Sequence, residues 1–182
     1  QGQNFLRGGQ QIIHNKESVS AFVIGTHAGW AEFQTNRVVE GRYINQLDEQ
    51  EYRKVAVIGT RVRDVLFKHD PNPVGKLIDI QGVSFQVVGV SVSTEPETGD
   101  AFQSNNVNIP NNSLRKAFNQ MDRFRRLVMQ PLPGYSSVQL EKDVKKVIYE
   151  RQKIHPDDVG VLQTFNNEQD YQQQQNLVSG VL

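Results

Sequence analysis

The apolar positions of this chain fall into short runs separated by definite stops, and the clearest sequence of runs lies between residues 37 and 90. Gly41-Arg42 closes an apolar approach, and a polar, acidic segment follows. Lys54 to Gly59 is a brief apolar run bounded by glycine, the pattern of a buried strand. Thr60 then offers a hydroxyl to the free N–H groups of a helix start, so the spacing predicts a helix with Thr60 as N-cap. Val62, Val65 and Leu66 share one face of that helix, with Phe67 at its end. Asp70-Pro71-Asn72-Pro73 stops it, because proline lacks the donor and disfavours helix in the residue before it. Lys76–Ile80 and Ser84–Val90 flank Gln81-Gly82, which predicts a tight hairpin with glycine at positive φ.

On the N-terminal side, Gln10–His14 and Val19–Ile24 about a polar Asn15-Lys16-Glu17 turn read as another hairpin. Trp30 and Phe33 follow in a segment rich in small and polar residues, and the tryptophan is expected to seal the base of a core rather than face a ligand. Periodicity is lost from residue 93 to residue 106, a stretch suited to crossing between two subdomains. Val107–Ile109 is a short strand ended by Pro110, and Asn112 or Ser113 is placed to cap a helix carrying Leu114, Ala117 and Phe118. A strand is expected over Arg126–Met129, before the turn residues Pro131, Pro133 and Gly134. Ser136 with Gln139 has the form of a capping box. Beyond it, Leu140, Val144, Val147 and Ile148 recur at i, i+4, i+7 and i+8, with Glu141, Lys142, Lys145 and Lys146 facing outward. Val159–Thr164 follows the His155–Asp158 turn as a strand, which would complete a βαβ unit. Residues 167–182 read as a helix growing more apolar toward its end, with Tyr171, Val178 and Leu182 on one side.

Composition narrows the function classes. A chain of 182 residues can bury a real core, as one domain or as two small subdomains. No apolar run approaches the roughly 20 residues of a membrane span, and no signal peptide is recognised, so the reading is a soluble domain or a soluble piece of something larger. The 20 basic and 20 acidic residues cancel, which argues against nucleic acid as a partner, since that needs excess positive charge. There is no cysteine, hence no disulfide framework, thiolate metal site or cysteine nucleophile. Polarity rests heavily on amides, with 20 Gln and 14 Asn.

Taken together, Gly41-Arg42-Tyr43, Val55–Thr60, Leu66-Phe67, Pro73–Lys76, Ile78, Ile80, Gly82, Phe85 and Val87–Val90 reproduce the pattern G-R-x-[FYI] … VAVIG-[ST] … LF … PVGK-x-I-x-I-x-G-x-x-F-x-VVGV. This resembles the extracytoplasmic core domain of MacB-like ABC transporter permeases. Val107-Asn-Ile-Pro110 and the elements after it extend the likeness over residues 19 to 182. The further strand and helix with which that domain usually opens are not found, nor are the nucleotide-binding domain and the membrane spans.

The resemblance implies an α+β fold of two small α/β lobes, a porter-like subdomain carrying an inserted sabre-like one. By analogy, the sabre-like part takes residues 16–100, and residues 1–15 with 101–182 form the porter-like part leading to a stalk helix. One lobe would contain the Lys76–Val90 hairpin and the other the Ser137–Lys153 helix, with residues 93 to 106 between them. It also implies a place on the periplasmic side of a bacterial inner membrane, in a non-catalytic domain. The domain would pass on motion driven by ATP hydrolysis in a nucleotide-binding domain elsewhere. The implied partners are a dimer mate, a periplasmic adaptor protein and an outer-membrane duct, with membrane contact through flanking spans.

The residues themselves suggest no catalytic, cofactor or metal set. Gly75-Lys76 fails the phosphate-loop spacing, since Leu77 stands where a hydroxyl is needed and a strand follows. Gly59-Thr60 leads from a strand into a helix N-terminus, a geometry that can hold an anion, but lacks the dinucleotide fingerprint. His14, His27, His69 and His155 have no metal-site spacing. Asp157-Asp158 after His155-Pro156 reads as turn chemistry. Arg123-Phe-Arg-Arg126 reads as a solvated strand edge, without the pattern of an RNA-binding strand. No serine sits in a G-x-S-x-G elbow. Two alternatives stay open, a small α/β enzyme with an unrecognised site and a free-standing ligand-binding module that uses residues 93–106 as a lid.

Overall fold

The computed structural model describes residues 2–29, 36–68, 72–93, 104–155, 158 and 161–166. Two compact units divide the chain, Gln1–Val128 and Met129–Leu182. Among the described residues the first contains nine strands: β1 (Gly2–Gln3), β2 (Gln10–His14), β3 (Glu17–Thr26), β4 (Asn36–Gly41), β5 (Val55–Gly59), β6 (Leu77–Ile80), β7 (Val83–Ser93), β8 (Asn106–Pro110) and β9 (Arg126–Leu127). Its described residues also form three short helices, α1 (Gln46–Gln50), α2 (Thr60–Leu66) and α3 (Asn111–Ala117). The second unit contributes α4 (Ser137–Gln152).

Both predicted hairpins form. Gln81 and Gly82 turn at φ of 52° and 81°, and Asp79 Oδ1 accepts from the Gly82 N–H at 2.8 Å. Positive φ at both central residues matches the right-handed twist of the flanking strands. Asn15, at φ 53°, makes the equivalent bend between β2 and β3.

Pairing then runs round a ring. β2 lies antiparallel to β3, β3 parallel to β8, β8 antiparallel to β5, and β5 parallel to β7. β7 is antiparallel to β6, and β6 returns antiparallel to β2. β7 closes the ring because it is long. Gln86 partners Leu77 of β6 on one edge and Val55 of β5 on the other. β4 takes the edge of β7 beyond β6, pairing with Gly89 to Ser93. Closure leaves few unpaired edges for a foreign strand to join.

Alternation fills the ring. Ile12, Ala21, Val23, Ala56, Ile58, Ile78, Ile80, Phe85, Val87, Val107 and Ile109 form one buried cluster. α2 adds Val62 and Leu66, with Phe67 behind them, and α3 adds Leu114. Phe118, just after α3, stacks on Phe85 with ring centroids 6.2 Å apart. β5 and β8 are buried at every position, as central strands covered on both faces should be.

Helix starts depart from the sequence reading. Thr60 lies inside α2, Gly59 occupies the N-cap, and no side chain caps it. The Ser104 carbonyl accepts from the Arg61 and Val62 N–H groups instead, at 3.1 and 3.4 Å. A distant backbone segment thus satisfies the donors that a local hydroxyl was expected to take. α3 begins at Asn111 with Pro110 as its uncapped N-cap, so neither Asn112 nor Ser113 has that role. Ser136 is the N-cap of α4 but makes no side-chain cap bond, and Gln139 bonds Asp143. The capping box that does form is Asn45 with Asp48, at α1.

The expected lobe edges at residues 16, 100 and 93–106 do not coincide with the two compact units. β2 comes from the 1–15 part, β3 to β7 from 16–100 and β8 from 101–182, yet all share one sheet. β8 slots between β3 and β5, so the two sides of that edge share one hydrogen-bonded ladder. The β6–β7 hairpin falls in the first unit and α4 in the second.

In the second unit, α4 ends at Lys153, a left-handed C-cap at φ 53°. Glu141 pairs with Lys145 one turn on at 2.6 Å and accepts from Thr164 Oγ1 at 2.6 Å. Those bonds occupy the stretch expected to form a strand, and residues 161–166 are irregular. β9 is limited to two residues and pairs antiparallel with β1, so the anticipated βαβ unit does not form among the described residues. Trp30, Phe33, residues 94–103, Val159-Gly160 and the expected terminal helix at 167–182 lie outside the described residues. Among those described, no helix is long and apolar enough to cross a membrane.

Candidate functional site

The residues weighed for chemistry gather into no reactive set among the described residues, although His14 and Lys76 both lie against Phe67. Gly75 turns at φ 89°, its N–H donates to Val87 O at 2.8 Å, and β6 follows directly. Lys76 Nζ sits 5.9 Å from the centre of the Phe67 ring, at a shallow depression lined by Ile13, His14, Leu77, Asp79 and Ser84. With no helix N-terminus behind it, this turn offers no cradle of N–H groups to a phosphate. The helix start at Gly59-Thr60 is taken by the Ser104 carbonyl, which points oxygen where an anion would need donors.

His14 closes β2 against Phe67, ring centroids 4.4 Å apart, while His27 follows β3 and His155 is exposed near the end of α4. His69 and Asp157 lie outside the described residues. The His155–Asp158 turn is present, with Asp158 N–H donating to His155 O at 3.0 Å. Among the described residues no three His, Asp or Glu side chains gather as metal ligands. Of the basic cluster, Arg126 pairs in β9 with Gln3, Arg125 lies over the Phe5 ring at 5.6 Å, and Arg123 meets Asp122 at 3.3 Å.

What the fold does assemble is a set of fastenings. The first centres on Asp48, whose side chain has no exposure to solvent. Arg42 grips it with both terminal nitrogens, at 2.6 and 3.0 Å, and the Asn45 N–H donates at 3.0 Å. Arg53 adds a second positive charge at 3.7 Å. Burial works against the charged carboxylate, but the Arg42 bonds, the Asn45 N–H and the two guanidinium charges outweigh it. Asp48 is therefore held below the usual carboxylate range. Gly41 and Gly89 let the same segment sit close to β7. A Cβ on Gly41 would lie 2.2 Å from Val88 O, and one on Gly89 would lie 2.2 Å from Arg42 O. The motif residues Gly41 and Arg42 are thus a backbone contact and a clamp.

The second fastening is a seam of buried amides tying the start of the chain to the barrel. Asn4 is fully buried; its N–H donates to Asn111 Oδ1 at 2.9 Å, and its carbonyl accepts from Gly25 N–H at 2.8 Å. Its side-chain Nδ2 donates to Gln120 Oε1 at 2.9 Å and to Arg123 O at 3.1 Å. Asn111 Nδ2 donates to Gly2 O at 3.1 Å. Gly25 leaves the room this needs, since a Cβ there would lie 2.4 Å from Asn111 Oδ1. Sequence reasoning counted these amides without locating them. Their one local signal was Asn111-Asn112 at the end of an apolar strand. Chemically the seam and the clamp hold backbone in place; they present no paired nucleophile and base.

A profile described as the MacB-like periplasmic core domain matches residues 4–147. A pyoverdine export ATP-binding/permease protein, PvdT, of Pseudomonas fluorescens (strain Pf0-1) is 40% identical over 90 residues, 50% of this chain and 14% of that protein. Its counterpart in Pseudomonas syringae pv. syringae (strain B728a) is 38% identical over 109 residues, 59% of this chain and 17% of that protein. The chain therefore spans well under a fifth of the length of these relatives. Among solved structures, the periplasmic region of MacB from Actinobacillus actinomycetemcomitans superposes with a TM-score of 0.64 at 17% identity, covering 82% of this chain and 65% of that one. The extracellular domain of the noncanonic ABC-type transporter YknZ from Gram-positive bacteria gives 0.62 at 15% identity, covering 84% and 74%. At these identities the structural matches speak to the fold, α+β and porter-like.

Proposed function

We infer that this chain, which belongs to the MacB-like periplasmic core domain family, is the mechanical part of an export permease on the periplasmic side of the inner membrane. It carries motion rather than performing chemistry. ATP hydrolysis in a nucleotide-binding domain elsewhere would move the membrane segments, and this domain would relay that motion to the substrate or to a periplasmic partner. A dimer mate, an adaptor protein and an outer-membrane duct are the partners this role calls for. Membrane attachment would come from spans outside these residues, with the segment 168–182 as the start of a stalk. The relatives named for pyoverdine export favour efflux of a small secreted molecule over lipoprotein release.

The observation that carries this reading is the ring of six strands fastened by the Asp48 clamp and the Asn4 seam. A relay must not absorb displacement within itself. A closed, hydrogen-bonded barrel with interlocked backbone deforms less than an open sheet with free edges. Calorimetry with ATP tests the absence of chemistry: the 182-residue protein should give no stoichiometric binding. Saturable binding that disappears in Lys76→Ala would overturn the proposal in favour of a nucleotide-handling domain.

A further inference from the structure

His27 stands just after β3 with both ring nitrogens facing acceptors. Nε2 lies 2.8 Å from Gly2 O. A carbonyl can only accept, so Nε2 carries a hydrogen. Nδ1 lies 3.2 Å from Glu49 Oε2. A neutral imidazole has a single N–H, and here it is committed to Gly2. The Nδ1 lone pair would then oppose a carboxylate unless a second proton sits at that contact. The other oxygen of Glu49 accepts the Ala28 N–H at 2.6 Å, which holds the carboxyl group in place beside the ring. The side chains of His27 and Glu49 are 19% and 16% exposed, so water does little to relieve a mismatch.

His14 provides the contrast within the same barrel. Its Nδ1 faces Leu77 O at 2.7 Å and its Nε2 faces Asn15 Nδ2 at 3.0 Å, one acceptor and one donor. A neutral ring satisfies both.

We propose that His27 is a proton-dependent latch, in which the doubly protonated ring clamps β1 at Gly2 to α1 at Glu49 and loss of the Nδ1 proton loosens β1. Glu49, from α1, is the charged group that meets the ring among the described residues. β1 offers the Gly2 carbonyl, and α3 offers neutral amides, Asn111 to Gly2 O and Asn112 to Glu49 O at 3.3 Å. β1 also pairs with β9, so the latch governs how firmly the β1–β9 ribbon is held to the barrel. The sign follows from the geometry: the clamp holds in acid and opens as pH rises.

Nitrogen-15 NMR of the histidine rings in the 182-residue protein tests this, combined with amide exchange at Gln3 and Asn4 measured relative to Val23 and Val107. At the acid end of the titration His27 should show two protonated nitrogens, with Nε2–H on Gly2 O and Nδ1–H on Glu49. As pH rises through the loss of the His27 Nδ1 proton, relative exchange at Gln3 and Asn4 should increase about tenfold, the effect of losing one charge-assisted hydrogen bond. His27→Gln, which cannot donate to both partners from two rigid ring positions, should exchange fast at every pH. A singly protonated His27 ring with Gln3 and Asn4 still fully protected, or exchange that stays level across the His27 transition, would overturn the latch. Both results come from the unmutated protein, so a variant that fails to fold leaves the test intact.

Discussion

Removing the Arg42 side chain should unfasten the segment that covers Asp48, at a cost that can be worked out from its contacts. Arg42→Ala deletes two charge-assisted bonds to a carboxylate that has no solvent exposure, along with an Arg42 Nη1 bond to Tyr43 O at 2.9 Å. Among the described residues, Asp48 then keeps the Asn45 N–H at 3.0 Å and Arg53 at 3.7 Å. Stripping one partner from a fully buried pair costs about 3–5 kcal/mol. The Arg42 side chain is 43% exposed, so solvent already weakens the pair and Arg53 takes over part of the compensation. The expected loss is therefore about 2–3 kcal/mol at neutral pH. The pH dependence has a definite sign. Asp48 is held below its ordinary value, so its contribution is complete above about pH 4 and is lost as pH falls through the lower folded-state value. The gap between Arg42→Ala and the unmutated protein should accordingly narrow in acid. Urea titrations read by amide exchange at Ile58 and Val107 would measure both, since these residues belong to the barrel. A variant within about 0.5 kcal/mol of the parent at neutral pH, or a gap that stays constant into acid, would refute the reasoning.

Gly89→Ala should cost about 3 kcal/mol, because the new Cβ meets main-chain oxygens that cannot rotate away, whereas Gly29→Ala, facing open space, should be near neutral. Equal stability of the two variants in the same urea assay would contradict the close approach of β4 and β7. Burial pushes the Tyr43 phenol up to about 12, with Thr26 pulling the other way. Stability should therefore be level below about pH 10 and fall as pH rises toward 12, and Tyr43 should ionise late in an ultraviolet titration, alongside Tyr135, which its hydrogen bond to Asp143 also raises. Tyr43→Phe should take one tyrosine out of that late step; complete ionisation of all tyrosines by about pH 10.5 would count against an enclosed hydroxyl.

The parts of the fold legible in the sequence were those with a local physical signature. The Gln81-Gly82 turn, the strand at residues 55–59 and the face of Val62 and Leu66 each depend on residues within a few positions of one another. Helix starts were less legible, because their donors are met from far along the chain: Ser104 serves α2 across more than forty positions. The same holds for lobe edges. An aperiodic stretch ends one run of strands, but nothing local says that β8 will insert between β3 and β5. The site divides along the same line. Gly41-Arg42 stood out as a motif, yet its role needed Asp48 and Gly89, and the Asn4 seam joins residues more than one hundred positions apart. At Ser136-Gln139 the capping pattern was present, but Gln139 found Asp143 on its own helix.

The claim that the domain relays motion is tested most directly by the ratio of substrate exported to ATP hydrolysed in a reconstituted full-length permease containing it. The variant is Gln173→Pro with Gln174→Pro, in the segment assigned to the stalk, with amide exchange at Ile58 and Val107 confirming an intact barrel. A relay predicts that hydrolysis continues while export is lost, so the ratio collapses. Normal export at an unchanged ratio would contradict it.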